Sequence, residues 1–200
     1  MKIYTNIFEL IISPENLFMA WAEFKKGKNK SKDVLEFERN LEQRIFELYR
    51  DLQSKKYKHG PYSDFYICDP KVRHIFKATV RDRILHHAIF KILNPIFNPT
   101  FIHNSFSCRV GKGTHNGVLA LEKMIRKVSR NYSMPCFALK CDIKKFFDSI
   151  DHQILMSIIK KRIVDSDVLW LLNEVIDSYS IPRERERVSQ ATRKACQSAI

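Results

Sequence analysis

The stretch KCDIKKFFDSIDH, residues 140 to 152, holds the residue types that could do chemistry: Asp142, Asp148 and Asp151, two adjacent phenylalanines, and His152. The segment before it, MPCFALKCDI, reads as a strand with Phe137, Leu139 and Cys141 on one face and Ala138, Lys140 and Asp142 on the other. Asp142 then ends the strand where the chain turns. A carboxylate at such a turn, beside backbone carbonyls, is a hard-oxygen site for Mg²⁺, which usually takes one or two carboxylates plus substrate phosphates. The same residues also read as an ordinary strand and helix start. In that reading Ser149 or Asp151 caps the helix, Asp148 is solvated, and Phe146 with Phe147 fills core. Spacing leaves both readings standing.

Positioning Asp142 falls to a chain of helices with a few short strands. Ser13 and Pro14 suit the cap and first turn of a short helix over PENLFMAWAEF. The basic loop KKGKNKSK follows, after which Asp33 is placed to cap a long helix. In it Val34, Phe37, Leu41, Ile45, Leu48 and Leu52 recur at three and four, ending near KKYKHGP. YSDFYICDPKVRHIFKA predicts two strands around Asp69-Pro70, a hairpin carrying Lys71, Arg73 and Lys77. RDRILHHAIFKILNPIF predicts a helix with Ile84, Leu85, Ala88, Ile89 and Ile92 inward, stopped by Asn94-Pro95. An irregular loop over 104–117 leads into a helix with Val118, Leu121, Ile125 and Val128 on one face. After the strand, helices are expected over about 151–163 and 166–179. No internal repeat or hinge divides the chain.

Thirty-five Lys and Arg against 22 Asp and Glu give a net charge of +13, which points to a polyanionic partner or to a generic basic surface. The candidates for phosphate-backbone contact are Lys25, Lys26 and Lys28 in the basic loop and Lys112 between glycines, where plain solvation fits equally well. With 44% hydrophobic residues and only 5 glycines the chain can bury a core. No apolar run reaches the roughly 18 residues of a spanning helix, so no membrane partner is expected. MKIYTNIFELIIS makes a poor signal peptide. Five cysteines without CxxC spacing read as reduced cytoplasmic thiols, with neither disulfide nor zinc.

The order of these segments resembles the reverse transcriptase family, specifically bacterial enzymes akin to those of group II introns and diversity-generating retroelements. ENLFMAWAEFKKGK and the helix after it look like the N-terminal extension. DPKVRHIFKATVRDRILHHAIFKILNPIF looks like the fingers block, FIHNSFSCRVGKGTHNGVLAL is similar to the next block, and LKCDIKKFFDSIDHQIL looks like the palm block with the first catalytic aspartate. The resemblance implies an α+β fold, a partial right-hand polymerase that is helix-rich with a few antiparallel strands. Its expected parts are an N-terminal helical extension (1–60), fingers (61–132), a partial palm (133–181) and a tail (182–200).

The resemblance also assigns roles. Asp142 would bind both catalytic Mg²⁺ ions with help from the Ile143 carbonyl. Phe147 looks like the steric gate that rejects a ribose 2′-hydroxyl, leaving Phe146 to the core. Lys71 and Arg73 resemble the clamp on the incoming triphosphate. Arg109 would line the nucleotide or template side, although an arginine capping loop carbonyls has the same signature. The implied reaction is two-metal nucleotidyl transfer from dNTPs onto a DNA primer copied from an RNA template. A structured retroelement RNA and an accessory protein are the implied further partners.

The sequence departs from the family's pattern in one respect: it has neither the Tyr-x-Asp-Asp hairpin nor the Gly-x-Pro-x-Gly-Asn block. One choice of codons for Lys194 to Ile200, read from the third base, spells Gly-Leu-Pro-Ile-Gly-Asn. The expectation is therefore a truncated reading frame that leaves its family between about 182 and 194, and a chain without polymerase activity. Two other readings are a non-catalytic nucleic-acid-binding module and an unrelated nuclease using Asp142, Asp148 and His152. An incomplete palm is also expected to expose apolar surface and to aggregate.

Overall fold

The computed structural model describes residues 2–68, 72–144 and 146–179. They form two compact units, one of residues up to Ile92 together with those from Phe147 onward, the other Leu93–Phe146. Among the described residues no helix is long and apolar enough to cross a membrane.

In the first unit the N-terminal helices are α1 (Phe8–Ile12), α2 (Pro14–Lys25), α3 (Lys32–Glu38) and α4 (Leu41–Gln53). The Ser13 side chain accepts from the Asn16 N–H and Pro14 takes the first turn, as the sequence predicts. The long helix expected from Asp33 is instead two. The chain leaves helical geometry at Asn40 (φ −125°, ψ 40°), although the apolar spacing is the same on either side of the break. Val34, Phe37, Ile45, Leu48 and Leu52 all bury, so the two pieces still line one core with Leu17, Ala20, Trp21 and Phe24 of α2. Asp33 does not cap the helix but lies in its first turn, where Lys77 (2.8 Å) and Arg83 (2.6 Å) pair with its carboxylate.

The hairpin forms as expected, with β1 (Ser63–Cys68) antiparallel to β2 (Val72–Lys77) and Tyr66 opposite His74. Helix α5 then runs Val80–Phe97. Asn94-Pro95 does not stop it. Pro95 removes only one backbone donor in the last turn, and Ile96 just after it is buried.

Helices α7 (His152–Lys160) and α8 (Ser166–Asp177) return to the first unit, capped by Asp151 and Asp165. Asp165 also binds the start of the chain: its Oδ2 accepts from the N–H groups of Ile7 (2.8 Å) and Phe8 (3.1 Å) while Oδ1 caps α8. A single parallel bridge, Tyr4 with Ile163, completes that junction.

The second unit contains the end of α5, a loop and α6 (Gly113–Val128). Helix α6 begins inside the stretch read as irregular, and Gly113 enters it at φ +72°, a conformation that side chains rarely adopt. Val118, Leu121 and Val128 are exposed instead of packed. The strand expected over CFALKCD does not form. Residues 135–143 are irregular and exposed, with Phe137 94% and Leu139 91% accessible. A strand needs a partner for its backbone donors and acceptors, and among the described residues the only sheet is β1 with β2. The tail expected at 182–200 lies outside the described residues.

Candidate functional site

Arg73, one of the two residues implied for the triphosphate clamp, projects from β2 opposite Ile67 and is exposed. Alternation places it on one hairpin face with Phe65, Ile67, Ile75 and Lys77. The opposite face carries Tyr66, His74 and Phe76, whose rings stack: Tyr66 on His74 at 4.3 Å and 5°, and His74 against Phe76 at 4.3 Å. Asp64 pairs with His74 Nε2 at 2.7 Å. Phe76 and Tyr62 both meet Tyr179 edge-on, so this face seats the hairpin against the end of α8. On the face with Arg73, that residue, Phe65 and Ile67 are exposed, while Lys77 at the base pairs with Asp33. Lys71 lies outside the described residues.

A buried carboxylate closes the hairpin's base. Asp82, fully inaccessible, accepts from the Tyr57 hydroxyl (2.8 Å), the Gly60 N–H (3.1 Å) and the Thr79 hydroxyl (2.6 Å). Thr79 in turn accepts from the Asp82 N–H at 3.2 Å, a reciprocal cap at the start of α5. Burial, together with the charge of Asp82 and the bond to it, pushes the Tyr57 hydroxyl far up, so it stays a donor. His59 stacks on Tyr62 (4.8 Å) and on His86 (5.3 Å). Burial first, then His59, pulls the His86 imidazole down to about 4, and its Nε2 has no hydrogen-bond partner among the described residues. Sequence reasoning passed over this cluster. The one signal for it was Thr79-x-x-Asp82 at the head of an apolar-periodic helix.

The lysines proposed for phosphate contact are mostly turned inward. Lys25 pairs with Glu38, and Lys28 donates to the Phe24 carbonyl (2.6 Å) while lying over that ring. Lys26 is exposed. Lys112 donates to the His103 carbonyl at 2.9 Å. A cleft beside the hairpin base, lined by Asp33, Glu36, Arg44, Glu47, Lys77 and Arg81, is mixed in charge. Two of its cations are already paired, Lys77 with Asp33 and Arg81 with Asp51, so it makes no funnel for a polyanion.

Arg109 organises its own loop. Its Nε donates to Asn98 Oδ1 (2.7 Å), Nη1 to the carbonyls of Ile102 (3.2 Å) and Ser105 (3.1 Å), and Nη2 to the Asn98 carbonyl (3.1 Å). The guanidinium also lies over the Phe101 ring at 5.4 Å.

Asp142 and Ile143 sit in the exposed irregular segment of the second unit. Phe147 belongs to a short 3₁₀ turn, Phe147–Ser149, in the first unit, and its ring is 76% accessible. Phe146 is 48% accessible, so it does not fill core; the strand that would have set its direction is absent. Asp142 and the Ile143 carbonyl have the hard-oxygen chemistry that Mg²⁺ prefers. Among the described residues no group of three or more His, Cys, Asp or Glu side chains is placed to hold a metal ion. The donor set on these residues does not by itself fit a two-ion centre.

Comparison with known proteins bears directly on these blocks. Residues 58–197 match the family model described as reverse transcriptase (RNA-dependent DNA polymerase). The group II intron-encoded protein LtrA of Lactococcus lactis subsp. cremoris is 23% identical over 177 residues, covering 86% of this chain and 28% of that protein. Nuclear intron maturase 1, mitochondrial, of Arabidopsis thaliana is 27% identical over 121 residues, covering 59% of this chain and 16% of that protein. Protein YkfC of Escherichia coli K12 is 24% identical over 128 residues, covering 63% of this chain and 33% of that protein. The chain thus spans about a third or less of the length of these relatives. The match takes in the hairpin with Arg73, the Thr79–Asp82 helix start and the Asp142 segment together, and the chain belongs to the reverse transcriptase (RNA-dependent DNA polymerase) family.

Proposed function

We propose that this chain supplies the fingers and the first palm segment of an RNA-directed DNA polymerase that copies an RNA template into DNA from dNTPs. The observation that carries the reading is the family match across residues 58–197, a span that includes Asp142 and Phe147. Support also comes from the exposed hairpin face, where Arg73 is offered beside Phe65 and Ile67. A guanidinium there suits bidentate phosphate contact and the apolar side chains suit bases or sugars. Asp142 with the Ile143 carbonyl would supply the first ligands of a Mg²⁺ site that needs the carboxylates of further family blocks, where the metal neutralises charge at the phosphates. In this reading Phe147 discriminates sugars by a clash that only the ribose suffers. A structured RNA is the partner class, in keeping with relatives named for group II and nuclear introns.

By themselves, the 200 residues are proposed to bind RNA without synthesising DNA, because one carboxylate cannot hold two divalent ions. The second reading is a non-catalytic nucleic-acid-binding module, supported by the hairpin face that offers Arg73 beside Phe65 and Ile67. A primer-extension assay on poly(rA) with oligo(dT), dTTP and Mg²⁺ tests the proposal. Unextended primer is expected. Extension abolished by Asp142→Asn would show that the chain is an active polymerase and overturn the inactivity claim.

A further inference from the structure

We infer that Asp82 is a positioning residue for the β1–β2 hairpin: its buried carboxylate fastens the chain entering β1 to the chain leaving β2 and so fixes where Arg73 is presented. The relevance to nucleic acid rests on the reading of Arg73 given above.

The two legs of the hairpin meet on this side chain, with a longer link from Arg81 Nη1 to the Lys58 carbonyl (3.4 Å) beside it. Tyr57 and Gly60 lie before β1 and Thr79 lies just after β2, and all three donate to Asp82. No backbone ladder bond replaces this fastening, since strand pairing ends at Ser63 with Lys77. The backbone at Gly60 approaches so closely that an added Cβ would stand 2.9 Å from Asp82 Oδ2 and 2.9 Å from the Thr79 methyl. Four surrounding groups hold the knot in place. His59 Nδ1 lies 2.7 Å from the Gly60 carbonyl, His86 stacks on His59, and Arg81 lies over the Tyr57 ring while pairing with Asp51.

Why such a knot matters for Arg73 is a question of leverage. A two-stranded ribbon is marginal alone, so its direction is set at its base. Arg73 lies six residues from Thr79, a lever of about 20 Å at the rise of a strand. A tilt of about 10° at the base therefore moves the Arg73 backbone by roughly 3 Å, more than a bidentate phosphate contact tolerates.

Tyr57→Phe removes only the hydroxyl and keeps the buried ring. Thr79→Val removes the second donor, and Thr79→Ser restores it. Each is made in the full 200-residue chain and followed by hydrogen exchange and by anisotropy of a labelled single-stranded RNA. Exchange in residues 63–77 should accelerate by about tenfold in Tyr57→Phe and Thr79→Val and return in Thr79→Ser, with the helices α2 and α4 unchanged. Tyr57→Phe should weaken RNA binding, and the double variant Tyr57→Phe/Arg73→Ala should bind no more weakly than Arg73→Ala alone. A merely structural loss would add to Arg73→Ala. Such additivity, or hairpin exchange that Tyr57→Phe leaves unchanged, would overturn the inference. If the wild-type chain binds no RNA, the Arg73 reading fails while the exchange result still decides the fastening.

Discussion

Replacing Arg109 separates two roles that a sequence cannot distinguish. The structure gives the guanidinium four hydrogen bonds, to Asn98 Oδ1, Asn98 O, Ile102 O and Ser105 O, all within one loop. The loop is largely exposed, so its carbonyls turn to water when the arginine is lost and leave no buried orphan. Each bond is then worth about 0.5–1 kcal/mol, or about 2–4 kcal/mol for the four. Arg109→Ala should therefore raise amide exchange at Ser105, Lys112 and Gly113, whose N–H groups bond within the same loop, by roughly 30-fold or more. Arg109→Lys should do nearly as much, because an ammonium keeps the charge but loses the planar fork. Helix α4, in the other unit, should not change. If loop exchange stays at the wild-type rate while binding of nucleotide or RNA falls, Arg109 faces a ligand and the loop-organising role is wrong.

The remaining expectations concern acid, core and gate. Asp33 is pulled up by burial but held well below its ordinary value by hydrogen bonds from Lys77, Ser31 and Arg83, so its contribution is complete above pH 3.8 and lost as pH falls below it. His86, at about 4 against an ordinary 6.5, is kept neutral in the fold, so stability declines as pH drops from 6.5 toward 4 while the unfolded chain takes up the proton. Melting temperatures against pH should show both declines, with the upper one reduced in His86→Phe, since burial also holds His87 below its ordinary value, and the lower one reduced in Asp33→Asn. Leu48→Ala empties a fully buried site and should cost about 2–5 kcal/mol, read as a drop of roughly 4–20 °C in Tm. In a longer protein that carries the remaining family blocks, Phe147→Ala should increase ribonucleotide incorporation. An unchanged sugar preference there would remove Phe147 from the gate.

Elements that pack against their neighbours in sequence were legible. The Ser13-Pro14 start of α2, the apolar spacing of α4 and α5, the pairing of β1 with β2, and the Asp151 cap all follow from local chemistry. What depends on distant partners was not. CFALKCD alternates as a strand should, yet among the described residues the only sheet is β1 with β2, and the periodic residues Val118, Leu121 and Val128 of α6 are exposed. The break at Asn40 escaped because three-and-four spacing continues across it. Asp165 joins α8 to Ile7 and Phe8 across more than 150 positions, a contact that no periodicity encodes. In the candidate site, type and spacing single out Asp142 without deciding its role, and Arg73 is singled out only by the family resemblance. Asp82 does not stand out, because a buried carboxylate is recognised by the donors around it, and Tyr57 and Gly60 lie over twenty residues away.

The most direct test of the central proposal, that the chain engages RNA through its cations, is the affinity for a labelled single-stranded RNA between 50 and 200 mM salt, with and without Mg²⁺. The expected result is binding whose logarithm falls linearly with the logarithm of salt concentration, at a slope of about 0.7 per phosphate neutralised. It should need no Mg²⁺, which as a competing counterion lowers it further, and it should be weakened by Arg73→Ala. No binding at the lowest salt, or binding indifferent to both salt and Arg73, would contradict the account.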